Sequence, residues 1–179
     1  MAADVRPDSV DALCSVIRDA AARGDKLRLR GGGSKDAIGA PTPDARLVDM
    51  GGFAGVVDYD PPELVLTVRA GTPLADVLAL VAERRQMLAF DPFDHGAMLG
   101  NGREQATIGG VVAAGVAGPL RLSRGGVRDH LLGFTAVSGR GERFVAGAKV
   151  VKNVTGYDLP KLLAGILDRL EALTKVTLK

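Results

Sequence analysis

The sequence predicts a chain of mixed helices and strands, long enough for one domain or for two small lobes that share a core. Three observations carry this. Amphipathic helical periods alternate with short β-type runs along the 179 residues. Hydrophobic residues make up 46% and charged residues 25%, the balance of a chain that buries a core. There are also 24 glycines against only 4% aromatic residues, which points to many tight turns or to a ligand lying against backbone.

The elements follow in order. "SVDALCSVIRDAAARGD" places Leu13, Val16, Ile17, Ala20 and Ala21 on one helical face, with Ser9 or Asp8 to cap its start and Gly24 to end it. "KLRLR" alternates as a strand and runs directly into three glycines. "ARLVDM" and "GVVDYD" read as two more strands, and "ELVLTVRAG" is the clearest strand of all. Thr72 is then expected to cap, and Pro73 to take the first position, of the helix "PLADVLALVAERRQ", whose buried face is Leu74, Val77, Leu78 and Val81. "FDPFDHGAMLGNGREQ" has no period and many turn formers, so it reads as a long functional loop. A small-residue helix follows in "ATIGGVVAAGVAG". "LLGFTAVSGRGERFVAG" reads as a hairpin, "AKVVKNVTGYDLPKLLAG" as strand, turn and short helix capped by Asp158, and "LTKVTLK" as a last strand.

Several function classes are disfavoured. The net charge of +2 is spread over mixed acids and bases, which is no basis for a nucleic-acid partner. A single cysteine, Cys14, forms no disulfide framework; in its helical pattern it reads as a buried thiol, consistent with a reducing compartment. "MAADVRPDSVDAL" lacks the apolar centre of a signal peptide, and no run approaches the roughly 18 apolar residues of a membrane helix. His95 and His130 fall in loop contexts without metal-ligand spacing, and Ser34, Ser123 and Ser138 lack a nucleophile-elbow pattern. The Arg84 and Arg85 pair reads as a solvated helix end.

Three stretches carry candidate chemistry. In "RGGGSK", Arg30 to Lys35, consecutive glycines can turn successive amides into one concavity that suits phosphate oxygens, with a hydroxyl from Ser34 and a charge from Lys35. A plain glycine turn explains the same letters equally well. Neither GxxxxGK[ST] nor GxGxxG is present, which disfavours a nucleotide hydrolase. In "TIGGVVAAGVAG", Thr107 can cap a helix whose first turn, Ile108, Gly109 and Gly110, offers amides to an anion. Close packing of that helix on a sheet is the alternative, and the two are compatible. In "KVVKNVTGYDLPKLLAG", two lysines, an Asn, a Thr and a Tyr between apolar positions suit a pocket wall, or a strand and a capped helix with no further role.

These stretches, in this order, resemble the PCMH-type FAD-binding domain of the vanillyl-alcohol-oxidase and p-cresol-methylhydroxylase flavoproteins. More narrowly, they resemble the FAD-binding subunit of bacterial glycolate oxidases. The resemblance rests on "RGGGSKDAIG", "LTVRAGTPLADVLALVAE", the run from "LAFDPFDHGAMLGNG" through "GGVRDHLLG", and "AKVVKNVTGYDLPKLLAG". It implies an α+β fold of two lobes, a smaller one over residues 1–54 and a larger one over 55–179, with FAD between them. It assigns Gly31, Gly32, Gly33, Ser34 and Lys35 to one side of the pyrophosphate, and Thr107, Ile108, Gly109 and Gly110 to the other side and the approach to the flavin. Arg30, Gly39, Ala113 and Gly118 are further cofactor-binding residues. Ala70, Gly71, Thr72, Gly100 and Asn101 line the cofactor, and Gly125, Arg128 and Asp129 match a GxxRD element near the flavin or adenine. Arg128, Lys149 and Lys152 are candidate cations beside the reduced flavin. With Ser34 and Lys35 where covalent members often carry a His, the resemblance implies non-covalent FAD.

The implied function is that of an FAD-binding subunit or fragment in a complex that oxidises 2-hydroxy acids such as glycolate, with little turnover alone and no catalytic residue assigned. The implied partners are a flavoprotein subunit and an iron–sulfur subunit, with self-association as another way to cover exposed apolar surface. The implied location is cytoplasmic, peripheral to the membrane through those partners. A non-catalytic assembly module with weak FAD binding is the alternative. Two departures from the family are visible. The chain stops near the end of the FAD domain, without the cap domain of that superfamily. Where the family typically reads "AGSxGTLxVLTEVTLK", this chain has "AGILDRLEALTKVTLK". That change makes "LPKLLAGILDRLEAL" score as a longer helix in place of a turn beside the cofactor.

Overall fold

A computed structural model of the chain describes residues 4–102, 105–147 and 157–179. The strand expected at the start of "AKVVKNVTGYD", with Lys149 and Lys152, lies outside them.

Two sheets organise these residues. Strands β1 (Leu27–Arg30) and β2 (Arg46–Asp49) pair in parallel, and Val5 extends them by bridging to Val48. Helix α1 (Val10–Arg23) packs against this pair. Ser9 caps it by accepting the Ala12 amide at 3.2 Å, and Gly24 closes it at φ +71. Its buried face is Leu13, Cys14, Ile17 and Ala20, while Ala21 is exposed.

The larger sheet contains β3 (Val56–Asp60), β4 (Val65–Arg69), β5 (Leu131–Ser138), β6 (Arg143–Gly147) and β7 (Glu171–Leu178), in the order β3-β4-β7-β5-β6. All its pairings are antiparallel. The last strand therefore becomes the centre of the sheet, which explains why "EALTKVTL" is buried at nearly every position.

Helices α2 (Leu74–Glu83) and α3 (Ile108–Ala114) cover one face of this sheet. Val77, Val81, Ile108, Val111 and Val112 pack there with Val68, Phe134 and Val176. A second apolar cluster joins Leu13 and Ile17 of α1 to Val48 of β2 and to Val137 and Ala172 of the larger sheet. Short helices α4 (Arg121–Arg124), α5 (Val127–His130) and α6 (Leu159–Leu163) complete the chain. Among the described residues no helix is long and apolar enough to cross a membrane.

Five local expectations are corrected. Thr72 does not cap α2; its hydroxyl bonds Arg69 O (2.6 Å) and both backbone groups of Gly55, and Pro73 takes the cap position instead of the first helical one. The Leu74 amide is taken by Ala106 O at 2.8 Å, so no side-chain cap is needed. Leu78 is 37% exposed, because α2 turns only a narrow stripe to the sheet. Asp158 holds the N-cap position of α6, but its side chain makes no cap bond and pairs instead with Lys161 at 2.8 Å. His130 ends α5, its ring nitrogen 2.7 Å from Arg124 O.

The fifth correction matters most. The helix predicted to run on through Ile166 stops at Leu163. The chain turns at Gly165 (φ +88), and Leu167 and Asp168 also hold left-handed backbone. The cause is tertiary. Leu167 N donates to Ala113 O (2.7 Å), satisfying a free carbonyl at the end of α3, and Gly165 N donates to Val112 O (3.0 Å), which also accepts the Gly115 amide (3.1 Å). Those bonds, with Gly165 packed against Gly115, override local helix propensity.

Candidate binding cleft

The three glycines after β1 face the start of α3 at close range. A Cβ on Gly31 would run into the Thr107 side chain, and one on Gly32 into the Gln105 carbonyl. Gly33 sits at φ +84 and starts a turn in which Asp36 N bonds Gly33 O at 3.1 Å. Two of the glycines are therefore required by packing and the third by conformation.

Across from this loop, Thr107 caps α3 by accepting the Gly110 amide at 3.3 Å. The next two glycines divide the work. Gly109 packs on the sheet: its amide donates to Ala70 O at 2.7 Å, and an added Cβ would come within 2.7 Å of Ala70. Gly110 borders the cleft, where an added Cβ would lie 3.3 Å from Thr107 Oγ1 and 4.0 Å from Lys35 Nζ. The packing reading of "GG" holds at Gly109, but the amides expected to face an anion are already taken: Ile108 N donates to Thr72 O (2.9 Å), Gly109 N to Ala70 O and Gly110 N to Thr107 Oγ1.

One cleft results, with Arg30, Gly31, Gly32, Gly33, Ser34 and Lys35 on one wall and Ala70, Thr107, Gly109, Gly110 and Ala113 on the other. Asn101 clasps the loop from outside, its Nδ2 donating to Gly33 O (3.3 Å) and Ser34 O (3.4 Å). The remaining sequence candidates lie elsewhere. Ile108 is fully buried in the core, and Gly71 and Thr72 pack behind the wall against residues 50–55. Gly118 packs on Asp91, while Gly39 and Gly100 sit on open loops. Arg128 and Asp129 line a separate pocket with Arg121 and Lys161. Gly125 is beside them, in contact range of the Asp129 carboxylate, which accepts the Gly126 amide at 2.8 Å. Lys152 lies outside the described residues.

Sequence reasoning missed Asp94. Its Oδ2 accepts the amides of Gln105 (2.8 Å) and Ala106 (3.3 Å), and its Oδ1 that of Gly96 (2.8 Å). One carboxylate thereby folds the long loop back onto the start of α3. Burial alone would raise its pKa, but these three amides and the Lys35 charge hold it below the usual carboxylate value. Burial lowers the Lys35 ammonium, an effect the Asp94 charge partly offsets. Burial and the Lys35 charge lower His95, against the Phe93 backbone and Asp94. The letters "FDPFDHG" signal turns, and an Asp two residues before a Gly was the available hint of an Asx turn.

The turn after α6 supplies a second missed feature. Leu167 and Asp168 border the same cleft. Asp168 Oδ1 and both oxygens of Glu171 are cut off from solvent without hydrogen-bond partners. Burial, and then the Glu171 charge, raise Asp168 to about 8, and burial raises Glu171 to about 7.

The cleft thus joins a glycine loop, a half-buried lysine, two hydroxyl groups and a Cβ-free approach at Gly110. That donor set fits the pyrophosphate of a dinucleotide. An FAD binding domain family model matches residues 1–147, so the chain belongs to the FAD binding domain family, and its cofactor is FAD. Glycolate oxidase subunit GlcE of Escherichia coli (strain K12) is 39% identical over 172 residues, which are 96% of this chain and 47% of that protein. A D-lactate dehydrogenase of Archaeoglobus fulgidus is 28% identical over 175 residues, 98% of this chain and 38% of its own. An alkyldihydroxyacetonephosphate synthase structure shares the fold at a TM-score of 0.73 and 21% identity, covering 98% of this chain and 30% of that one. The chain spans about half the length, or less, of these relatives.

Proposed function

We propose that the chain forms the FAD-holding part of a multi-subunit oxidoreductase acting on 2-hydroxy acids, glycolate among them, with residues 1–54 and 55–179 as the two lobes around the cofactor. The single observation that carries this is the meeting of the 31–35 loop and the Thr107-capped start of α3 in one cleft beside Lys35. The 39% identity to a glycolate oxidase subunit supports the substrate class.

In this reading FAD is held non-covalently and supplies the hydride acceptor. The backbone of residues 31–35, with the Ser34 and Thr107 hydroxyls, binds the pyrophosphate. Lys35 neutralises part of its charge, at a site where burial has already thinned competing water. Asp94 and Asn101 hold the two walls in register. We assign turnover to the assembled complex, with a flavoprotein subunit and an iron–sulfur subunit as partners, and little to the chain alone.

Two measurements on the purified chain test this: an FAD titration read by the flavin band at ~450 nm, and glycolate oxidation with an artificial electron acceptor. Saturable FAD uptake, released by acid precipitation, with negligible turnover supports the reading. A folded protein that ignores FAD favours a non-catalytic assembly module, and robust turnover removes the need for partners.

A further inference from the structure

Helices α2 and α3 cover one face of the larger sheet, and the opposite face carries a run of positive charge. Val68 and Val176 belong to the core under α2 and α3, so their neighbours Arg69 and Lys175 point the other way. These two cations are direct cross-strand partners in the β4–β7 register. Like charges in that position repel and destabilise a sheet. Lys175 stands opposite Thr135 on its other side, yet Thr135, only 3% exposed, has an Oγ1 without a partner. A third cation, Arg143, lies on edge strand β6 opposite Val137, which packs with α1 on this same face. Among the described residues none of the three cations forms an ion pair.

Arg69, Lys175 and Arg143 line one groove of ≈ 390 Å³ beside the start of α1, together with the apolar Phe53 and Val57. Asp8 also lines it and pairs with none of them. The lining runs from Val57 on β3 to Arg143 on β6, across the five strands of the sheet. At about 4.8 Å per strand spacing that is roughly 19 Å. A small dianion covers a fraction of this length, whereas an extended chain of about six residues covers all of it. Val57 at one end is 50% exposed, and Val145, opposite Thr135 at the other end, is 62% exposed. None of these residues lines the FAD cleft.

We propose that this groove docks an extended acidic segment of a partner protein, its carboxylates set against Arg69, Lys175 and Arg143 and its apolar side chains against Val57 and Val145. The proposal rests on the multi-subunit reading above only for the existence of a partner. Charge complementarity of this kind selects the partner and fixes its register, and arginine beside exposed apolar residues is a composition that interfaces favour.

The test is fluorescence anisotropy of a capped, labelled hexaglutamate titrated with the full chain. Labelled hexalysine is the control peptide and glutarate the small competitor. The variants are Lys175→Glu and Arg143→Ser in the groove, and Lys26→Glu as an equal charge change on an exposed residue elsewhere. The wild type should prefer hexaglutamate over hexalysine by about tenfold or more. Lys175→Glu should weaken that binding about tenfold, Arg143→Ser about threefold or more, and Lys26→Glu less than about twofold. Lys175→Glu should also raise the melting temperature of the free chain, because Arg69 gains an opposite charge across the strands. That readout separates a lost site from a lost fold. The proposal is overturned if the wild type shows no preference for hexaglutamate, or if either groove variant weakens binding no more than Lys26→Glu does. It is also overturned if glutarate displaces the peptide mole for mole, which makes this a small-molecule site, or if sedimentation shows a dimer of the chain that Lys175→Glu dissolves. Lys175→Glu should leave FAD uptake unchanged, and the FAD and turnover assays above read the cleft and the need for partners separately, so failure of this proposal leaves that reading standing.

Discussion

Asp94 Oδ2 accepts the amide of Gln105 at 2.8 Å, and Gln105 O lies where a side chain on Gly32 would have to go. A single carboxylate on the long loop therefore sets the position of the backbone against which the glycine run packs. Asp94→Ala should destabilise the fold by roughly 2–4 kcal/mol, the cost of orphaning amides that had a charged acceptor. Because the folded state depresses this pKa, the contribution is complete above the unfolded value near 3.9 and is lost as the pH falls through the lower folded value. Urea unfolding of wild type and variant at pH 7 and pH 3 checks this: the gap between the two should shrink at the acid end.

The two glycines at the start of α3 should respond in different ways to the same change. Gly109→Ala forces a Cβ to within 2.7 Å of Ala70 backbone and should cost about 1–3 kcal/mol of stability. Gly110→Ala places its Cβ 3.3 Å from Thr107 Oγ1, which must give by a few tenths of an ångström, so stability should change by no more than about 1 kcal/mol in either direction while FAD binding weakens tenfold or more. Paired thermal melts and FAD titrations separate the two. Equal FAD losses that merely track stability would contradict the division of labour.

Lys35→Met removes a charge that burial already disfavours, so the apo protein should keep its melting temperature. FAD affinity should fall by about 1.5–3 kcal/mol, the range for a charge-assisted contact. The salt dependence of FAD binding should weaken with it. Titrations at low and high salt measure both effects.

The buried acids make the apo fold less stable as the pH rises from acid to neutral. Asp168 and Glu171 have folded pKa values raised to about 8 and about 7, above unfolded values near 4. The folded state therefore binds more protons between those limits, and stability declines as the pH rises from about 4 to about 8. Asp168→Asn should flatten the upper part of that decline and raise the melting temperature at pH 8, at roughly 2–4 °C per kcal/mol recovered. Melting curves of the cofactor-free protein across that range provide the check.

Much of the fold was legible because local signals agreed with tertiary need. Ser9 and Gly24 bound α1, "VLTV" forms a strand buried at all four positions, and Thr107 caps α3 as its position suggests. The cleft was legible through its glycines, whose missing side chains are explained by Gln105, Thr107 and Ala70. What sequence could not show were contacts made by distant backbone. The helix expected across Ile166 yields to the carbonyls of Val112 and Ala113, some fifty residues earlier in the chain. Thr72 turns its hydroxyl to Gly55 because α2 finds its first acceptor at Ala106. Asp94 looked like one more turn former, since its amide partners lie beyond the loop it closes.

The central claim is that the 31–35 loop and the start of α3 hold FAD in the cleft they share. The most direct measurement is an FAD titration of the purified chain at pH 6.5, with Gly110→Ala alongside and circular dichroism confirming that both are folded. Saturation at one FAD per chain for the wild type, with tenfold or greater weakening in the variant, is the expected result. Absence of uptake by the folded wild type, or undiminished binding by Gly110→Ala, would contradict it.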